Sequence, residues 1–232
     1  MTASLSRRSM MAATVGAATI FAATGAFAAR HSMLFEVMRG GTLIGTHRLD
    51  FSRIGEDLVV DVAIDLAVEI AWIPVFRYEH ANREVWRSGR LMTLESHTHD
   101  DGNEHFVRGF NDGERLIVES DQGQLQVEAD MLTTSYWHPL TPGRDRLLDT
   151  QKGRIADVRH VSSGLERMVV AGQSVQARRY EASGDLELTI WYSLQHAWCG
   201  LAFEARGEQV EYQAVVYPDQ ESWMVLAAMA GA

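Results

Sequence analysis

The sequence predicts an all-β fold: a strongly curved antiparallel meander, a barrel or half-open barrel, with at most short helical segments. Three observations predict it. Large apolar side chains occupy every even position from Leu58 to Trp72, glycine-centred turns recur along the chain, and no long stretch carries the helical 3.6-residue period. With 46% apolar and 22% charged residues the 232-residue chain has a globular composition, which excludes a disordered tail or a collagen-like fibre. Its single cysteine, Cys199, excludes a disulfide-stapled framework.

Residues 1–28 read as an export signal cleaved after Ala28, leaving a single β-barrel-like domain over 29–232. Arg7 and Arg8 stand side by side, an Ala-, Gly- and Thr-rich stretch follows, and Ala26-Phe27-Ala28 supplies a small-x-small cleavage site. This layout predicts passage through the twin-arginine translocase and a periplasmic or secreted location, with the general secretory route as the alternative. The net charge is −10, and removing a segment with two arginines and no acid makes the remainder more acidic still. Such a surface repels nucleic acid and anionic headgroups, and the Ala- and Gly-rich segment is a poor membrane span.

The run from Leu58 to Trp72 is a strand with Leu58, Val60, Val62, Ile64, Leu66, Val68, Ile70 and Trp72 on one face. It is long enough to require a curl or a bend, and Pro74, which cannot donate to a ladder, is the expected break. Turns are expected at Gly40-Gly41, Gly89, Gly102, Gly113, Gly123, Gly153, Gly164, Gly184 and Gly207, because tight hairpin turns need positive φ. Such spacing fits a meander closed on itself. The irregular piece Asp130–Asp145 reads as a loop crossing the sheet with one short helical turn. The apolar end, Trp223–Ala232, is too short to cross a bilayer and suits a cap or plug.

Three aromatic-and-turn stretches together resemble a known family. They are Phe76-Arg77-Tyr78-Glu79-His80 with Glu84–Leu91, Thr133-Thr134-Ser135-Tyr136-Trp137 with Leu147–Gly153, and Ile190-Trp191-Tyr192 with Trp198–Phe203. In this order they resemble the exported bacterial proteins grouped as domain of unknown function 6134. Those are in turn distantly similar to periplasmic lipoprotein-carrier-like β-proteins, whose curved sheet holds acyl chains. The resemblance implies a curved β-fold and no particular reaction. It leads one to expect Asn where this chain has His138.

The candidate for metal chemistry is the hairpin carrying His97, His99 and His105. His97 and His99 share a strand face. A three-residue turn would add His105 to it, whereas a two-residue turn would send His105 to the other side. The remaining histidines form no triad, Cys199 lies in an apolar run, and no phosphate loop, dinucleotide fingerprint or haem motif appears, so no cofactor and no catalytic set is expected. The apolar lining of a ligand cavity is expected from Val62, Ile64, Leu66, Val68, Ile70, Trp72, Trp86, Trp137 and Trp191. The resulting expectation is a non-catalytic protein that binds or carries a hydrophobic or amphipathic small molecule, or assists envelope maintenance. The alternatives are a metal-binding protein or metal-dependent enzyme on the His hairpin, and a structural partner protein of the envelope.

Overall fold

The computed structural model describes residues 31–70 and 73–231, so the expected signal at 1–28 lies outside the described residues. The chain folds into β1 (His31–Arg39), β2 (Thr42–Ile54), β3 (Asp57–Ile70), β4 (Ile73–Arg87), β5 (Arg90–Asp100), β6 (Asn103–Asn111), β7 (Arg115–Ser120) and β8 (Gly123–Glu128). After a crossing segment come β9 (Arg146–Leu148), β10 (Ile155–Val170), β11 (Gln173–Gly184), β12 (Leu188–Ser193), β13 (Trp198–Ala205), β14 (Glu208–Val216) and helix α1 (Gln220–Met229). All fourteen strands belong to one antiparallel sheet in the order β8-β7-β6-β5-β4-β3-β2-β1-β14-β13-β12-β11-β10-β9. Pairing of β1 with β14 joins the first strand to the last and leaves β8 and β9, neighbours in sequence, as the two edges.

The sheet curls so that these edges approach without sharing a ladder. Arg146 Nη1 lies 3.2 Å from Glu128 Oε1, a side-chain link from β9 to β8. The segment between them fills the gap. The Leu148 amide donates to Leu132 O at 2.8 Å and the Thr134 amide to Leu148 O at 3.0 Å, after which Thr133, Ser135, Trp137 and His138 enter the interior. The expected helical turn is a 3-10 turn at Thr141–Gly143. Alternation explains the curl: Leu58, Val60, Val62 and Leu66 of β3 are buried inward, whereas Ala63 and Asp65 face out. Register shifts, such as those at Val37/Met38 and Val68/Glu69, add local twist. Gly45 marks a tight approach of β2 to β3, since a Cβ there would lie 1.9 Å from Asp65 O.

Two turn assignments are corrected. Pro74 does not break the strand. It lies inside β4 opposite Glu69, next to the register shift, where an irregular ladder tolerates a missing donor. Gly164 is not a hairpin turn but a bulge within β10, with φ +125°, and the hairpin turns instead at Ala171-Gly172.

Helix α1 closes one end of the curled sheet. Asp219 caps it by accepting from the Ser222 amide at 2.7 Å, and its apolar face buries Trp223 and Leu226. Trp223 Nε1 donates to Gln195 O at 2.9 Å in the β12–β13 turn. At its other end, His138 Nε2 donates to Ala230 O at 3.0 Å, and Gly231 sits against Gly89 so closely that a Cβ would meet the Gly89 Cα at 2.7 Å. The fully buried core, with Phe35, Phe51, Leu58, Trp86, Trp137 and Trp198 among it, fills the space above this plug.

Candidate functional site

Away from α1 the interior stops being filled. The far ends of β1, β3 and β13 and the near ends of β2, β4 and β14 surround an outer chamber of about 590 Å³. Its wall includes Ile44, Leu66, Val68, Phe76, Val210 and Tyr212, with Arg39 and Arg206 among the surrounding residues. The Arg206 guanidinium lies 5.4 Å from the Phe76 ring centre, a cation–π contact. Ile64, Gln151, Phe203 and Tyr212 also bound an inner chamber of about 260 Å³, which makes the two adjoining parts of one cleft. The inner chamber is more polar: His47, His80, Thr134, Tyr136 and Thr150 line it, with exposed Asp185 and Glu187 at its edge.

Burial sets the charge state of the inner wall. Desolvation, reinforced by neighbouring His80, lowers the His47 pKa to about 3, and desolvation lowers that of His80 to about 4. Both imidazoles are therefore neutral near pH 7. Burial also pushes the Tyr78, Tyr136 and Tyr212 phenols well above their ordinary value. His80 is held by Thr98, with Nδ1 2.8 Å from Oγ1, and more loosely by Thr150 at 3.5 Å. Neither nitrogen of His47 has a hydrogen-bond partner among the described residues, and the Tyr78 hydroxyl has none either. The His47 ring is kept in place by aromatic edges, with Trp198 at 5.3 Å and Tyr212 at 5.6 Å between ring centres.

Of the expected lining, Val62 and Ile64 border the inner chamber, and Ile64, Leu66 and Val68 the outer one. The side chain of Ile70 and the whole of Trp72 lie outside the described residues. Three of the expected tryptophans stand outside the lining of both chambers. Trp86 and Trp137 are fully buried in the packed core, their rings edge to face at 5.5 Å, and Trp191 is half-buried on β12 with its Nε1 bonded to Glu166. The His hairpin adopts the two-residue turn: Asp100 pairs with Asn103, His99 with Glu104 and Thr98 with His105. His105 thus faces away from His97 and His99 and instead meets Asp121, Nδ1 to Oδ2 2.9 Å. Among the described residues no group of three or more His, Cys, Asp or Glu is placed to hold a metal ion.

A family profile, Domain of unknown function (DUF6134), matches residues 35–215. The chain belongs to the DUF6134 family. Among solved structures, this DUF6134 chain is similar to a β-barrel-like protein of domain of unknown function DUF1849 from Brucella abortus. That match has 9% identity and a TM-score of 0.56, and it covers 82% of this chain and 98% of that one. Likeness at this identity speaks for the fold alone. No curated protein matches the chain.

Sequence reasoning missed the most connected side chain of the DUF6134 chain, Glu84. Its carboxylate is fully buried and accepts five hydrogen bonds: Asn82 Nδ2 at 3.0 Å, Thr133 Oγ1 and Ser135 Oγ at 2.9 Å each, Trp86 Nε1 at 2.9 Å and Trp137 Nε1 at 3.0 Å. Glu84 pins the crossing segment to β4, and Thr134, Ser135 and Tyr136 of that segment line the inner chamber. The available signal was the pairing of an inward-facing acid at an even strand position with hydroxyls and an indole at alternate positions 133, 135 and 137.

Proposed function

We propose that this protein binds or carries a hydrophobic or amphipathic small molecule in the bacterial envelope, without turning it over. The observation that carries the reading is the adjoining pair of chambers, about 590 and 260 Å³, walled by the inward side chains of β3 and its neighbours. Cavities of this size suit a small lipid-like ligand. The reading against catalysis is supported by the fate of the reactive groups. The Cys199 thiol is buried in the core with its pKa pushed up to about 11, and the Thr133 and Ser135 hydroxyls are spent on Glu84. A partner protein acting through its outer surface has no use for an internal cleft, which favours ligand binding. The twin-arginine-like leader supports export through that translocase and action in the periplasm, and among the described residues no helix is long and apolar enough to cross a membrane.

The test is uptake of N-phenylnaphthylamine, whose fluorescence rises in apolar surroundings. Saturable uptake by the wild-type chain, and its weakening in Val68→Trp, which projects a bulky ring into the outer chamber, is the expected result. Absence of saturable uptake by the wild-type chain overturns the reading.

A further inference from the structure

We infer that the ligand is a neutral lipid whose hydrogen-bonding oxygen, an alcohol, ester or ketone, enters first and lodges in the inner chamber while its chain lies in the outer one. The inference rests on the cleft being a ligand site and adds which end of the ligand goes where. His47 is 4% exposed and lines the inner chamber, yet neither ring nitrogen is paired. The Tyr78 hydroxyl is unpaired too; Tyr78 belongs to the outer wall, where its ring stacks 6.5 Å from that of His80 of the inner wall and so stands at the junction of the two chambers. Unpaired buried donors and acceptors are rare in native interiors and destabilise them, so their persistence beside an unfilled space asks for a molecule that completes them. A neutral imidazole offers one N–H and one lone pair, and a phenol offers one O–H. That set matches an alcohol or a carbonyl oxygen.

Charge excludes the commoner amphiphiles. Among the described residues no lysine or arginine lines the inner chamber, its histidines His47 and His80 are neutral, and Asp185 and Glu187 stand at its edge. A buried carboxylate or phosphate there would have no cation to offset its desolvation. The reverse orientation, chain inward and acidic head at Arg39 and Arg206, would lay methylenes against His47 and leave its nitrogens unpaired. The outer wall of Ile44, Leu66, Val68, Phe76 and Val210 is suited to the chain itself.

The test compares dodecanol, methyl dodecanoate, dodecanoate and dodecane as displacers of N-phenylnaphthylamine at pH 7.5. Expected is a preference of about tenfold or more for dodecanol or the methyl ester over both dodecanoate and dodecane, the size a well-paired polar group confers. Tyr78→Phe removes only the hydroxyl, and His47→Phe exchanges the imidazole for a somewhat larger ring without polar atoms. Each is expected to shrink the preference over dodecane several-fold without lowering the melting temperature, since an unpaired buried group is being removed. A merely structural role for either residue would lower the melting temperature and leave the preference alone. Dodecanoate or dodecane binding as tightly as dodecanol, or an unchanged preference in both variants, overturns the inference while leaving the cavity reading in place. Failure of the probe to bind overturns both.

Discussion

Three histidines show how burial converts an ordinary side chain into a pH liability. His47 has a pKa near 3, and His80 and His138 near 4, with desolvation the leading cause in each. For His138 the hydrogen bonds fix the neutral form, because Nε2 donates to Ala230 O while Nδ1 accepts from the Leu140 amide at 3.2 Å. All three folded-state values lie below the unfolded value of 6.5, so between about pH 6.5 and pH 4 the unfolded chain binds more protons. Stability is therefore intact above pH 6.5 and declines as pH falls through the window, by up to about 1.4 kcal/mol per pH unit for each histidine. Denaturant melts at pH 7.5 and pH 5 should show a clear loss at the lower pH, and His47→Phe should reduce the difference. Equal stability at the two pH values would show that these rings protonate freely in the folded chain. None of this was legible in the sequence, where His47 is one polar residue in a polar stretch. Only the long-range pairing with Phe35, Trp198 and Tyr212 buries it.

At the level of elements, strands were legible and their ends were not. The period of two in Leu58–Trp72 locates β3 because each side chain reports its own face, and Asp57–Ile70 is the described result. Gly164 misled because a bulge and a hairpin both call for positive φ, and only the partner strand distinguishes them. The His hairpin was legible up to a single residue of register, which the Asp100–Asn103 pair decided. The crossing segment was recognisable as irregular, but its anchoring was hidden, since Thr133, Ser135 and Trp137 reach a carboxylate about fifty positions earlier. Glu84→Ala would strand five buried donors, two of them indole N–H groups, and should cost about 3–5 kcal/mol, as removal of one side of a buried charged network does. Glu84→Gln keeps the volume but turns an N–H₂ toward existing donors, and should cost about 1–3 kcal/mol. Urea unfolding measures both. A near-neutral Glu84→Ala would mean that the crossing segment holds its place without this tie.

Across the whole molecule the sheet separates two tasks by position along its axis. Near α1 the inward residues include large aromatics, with Trp86, Trp137, Trp198 and Trp223 all buried. Toward the opposite end Ile44, Leu66, Val68 and Val210 alternate with Phe76, Tyr78 and Tyr212, and the same inward alternation leaves space instead of filling it. Aromatic abundance alone did not show which tryptophans would line that space, because the choice between lining and core depends on height above the plug. Native mass spectrometry of the mature protein, purified from cells without detergent or organic solvent, addresses the cleft most directly. A bound neutral lipid that disappears after organic extraction, leaving a chain that then takes up dodecanol, is the predicted result. A ligand-free mass together with no saturable uptake of dodecanol or N-phenylnaphthylamine would contradict it.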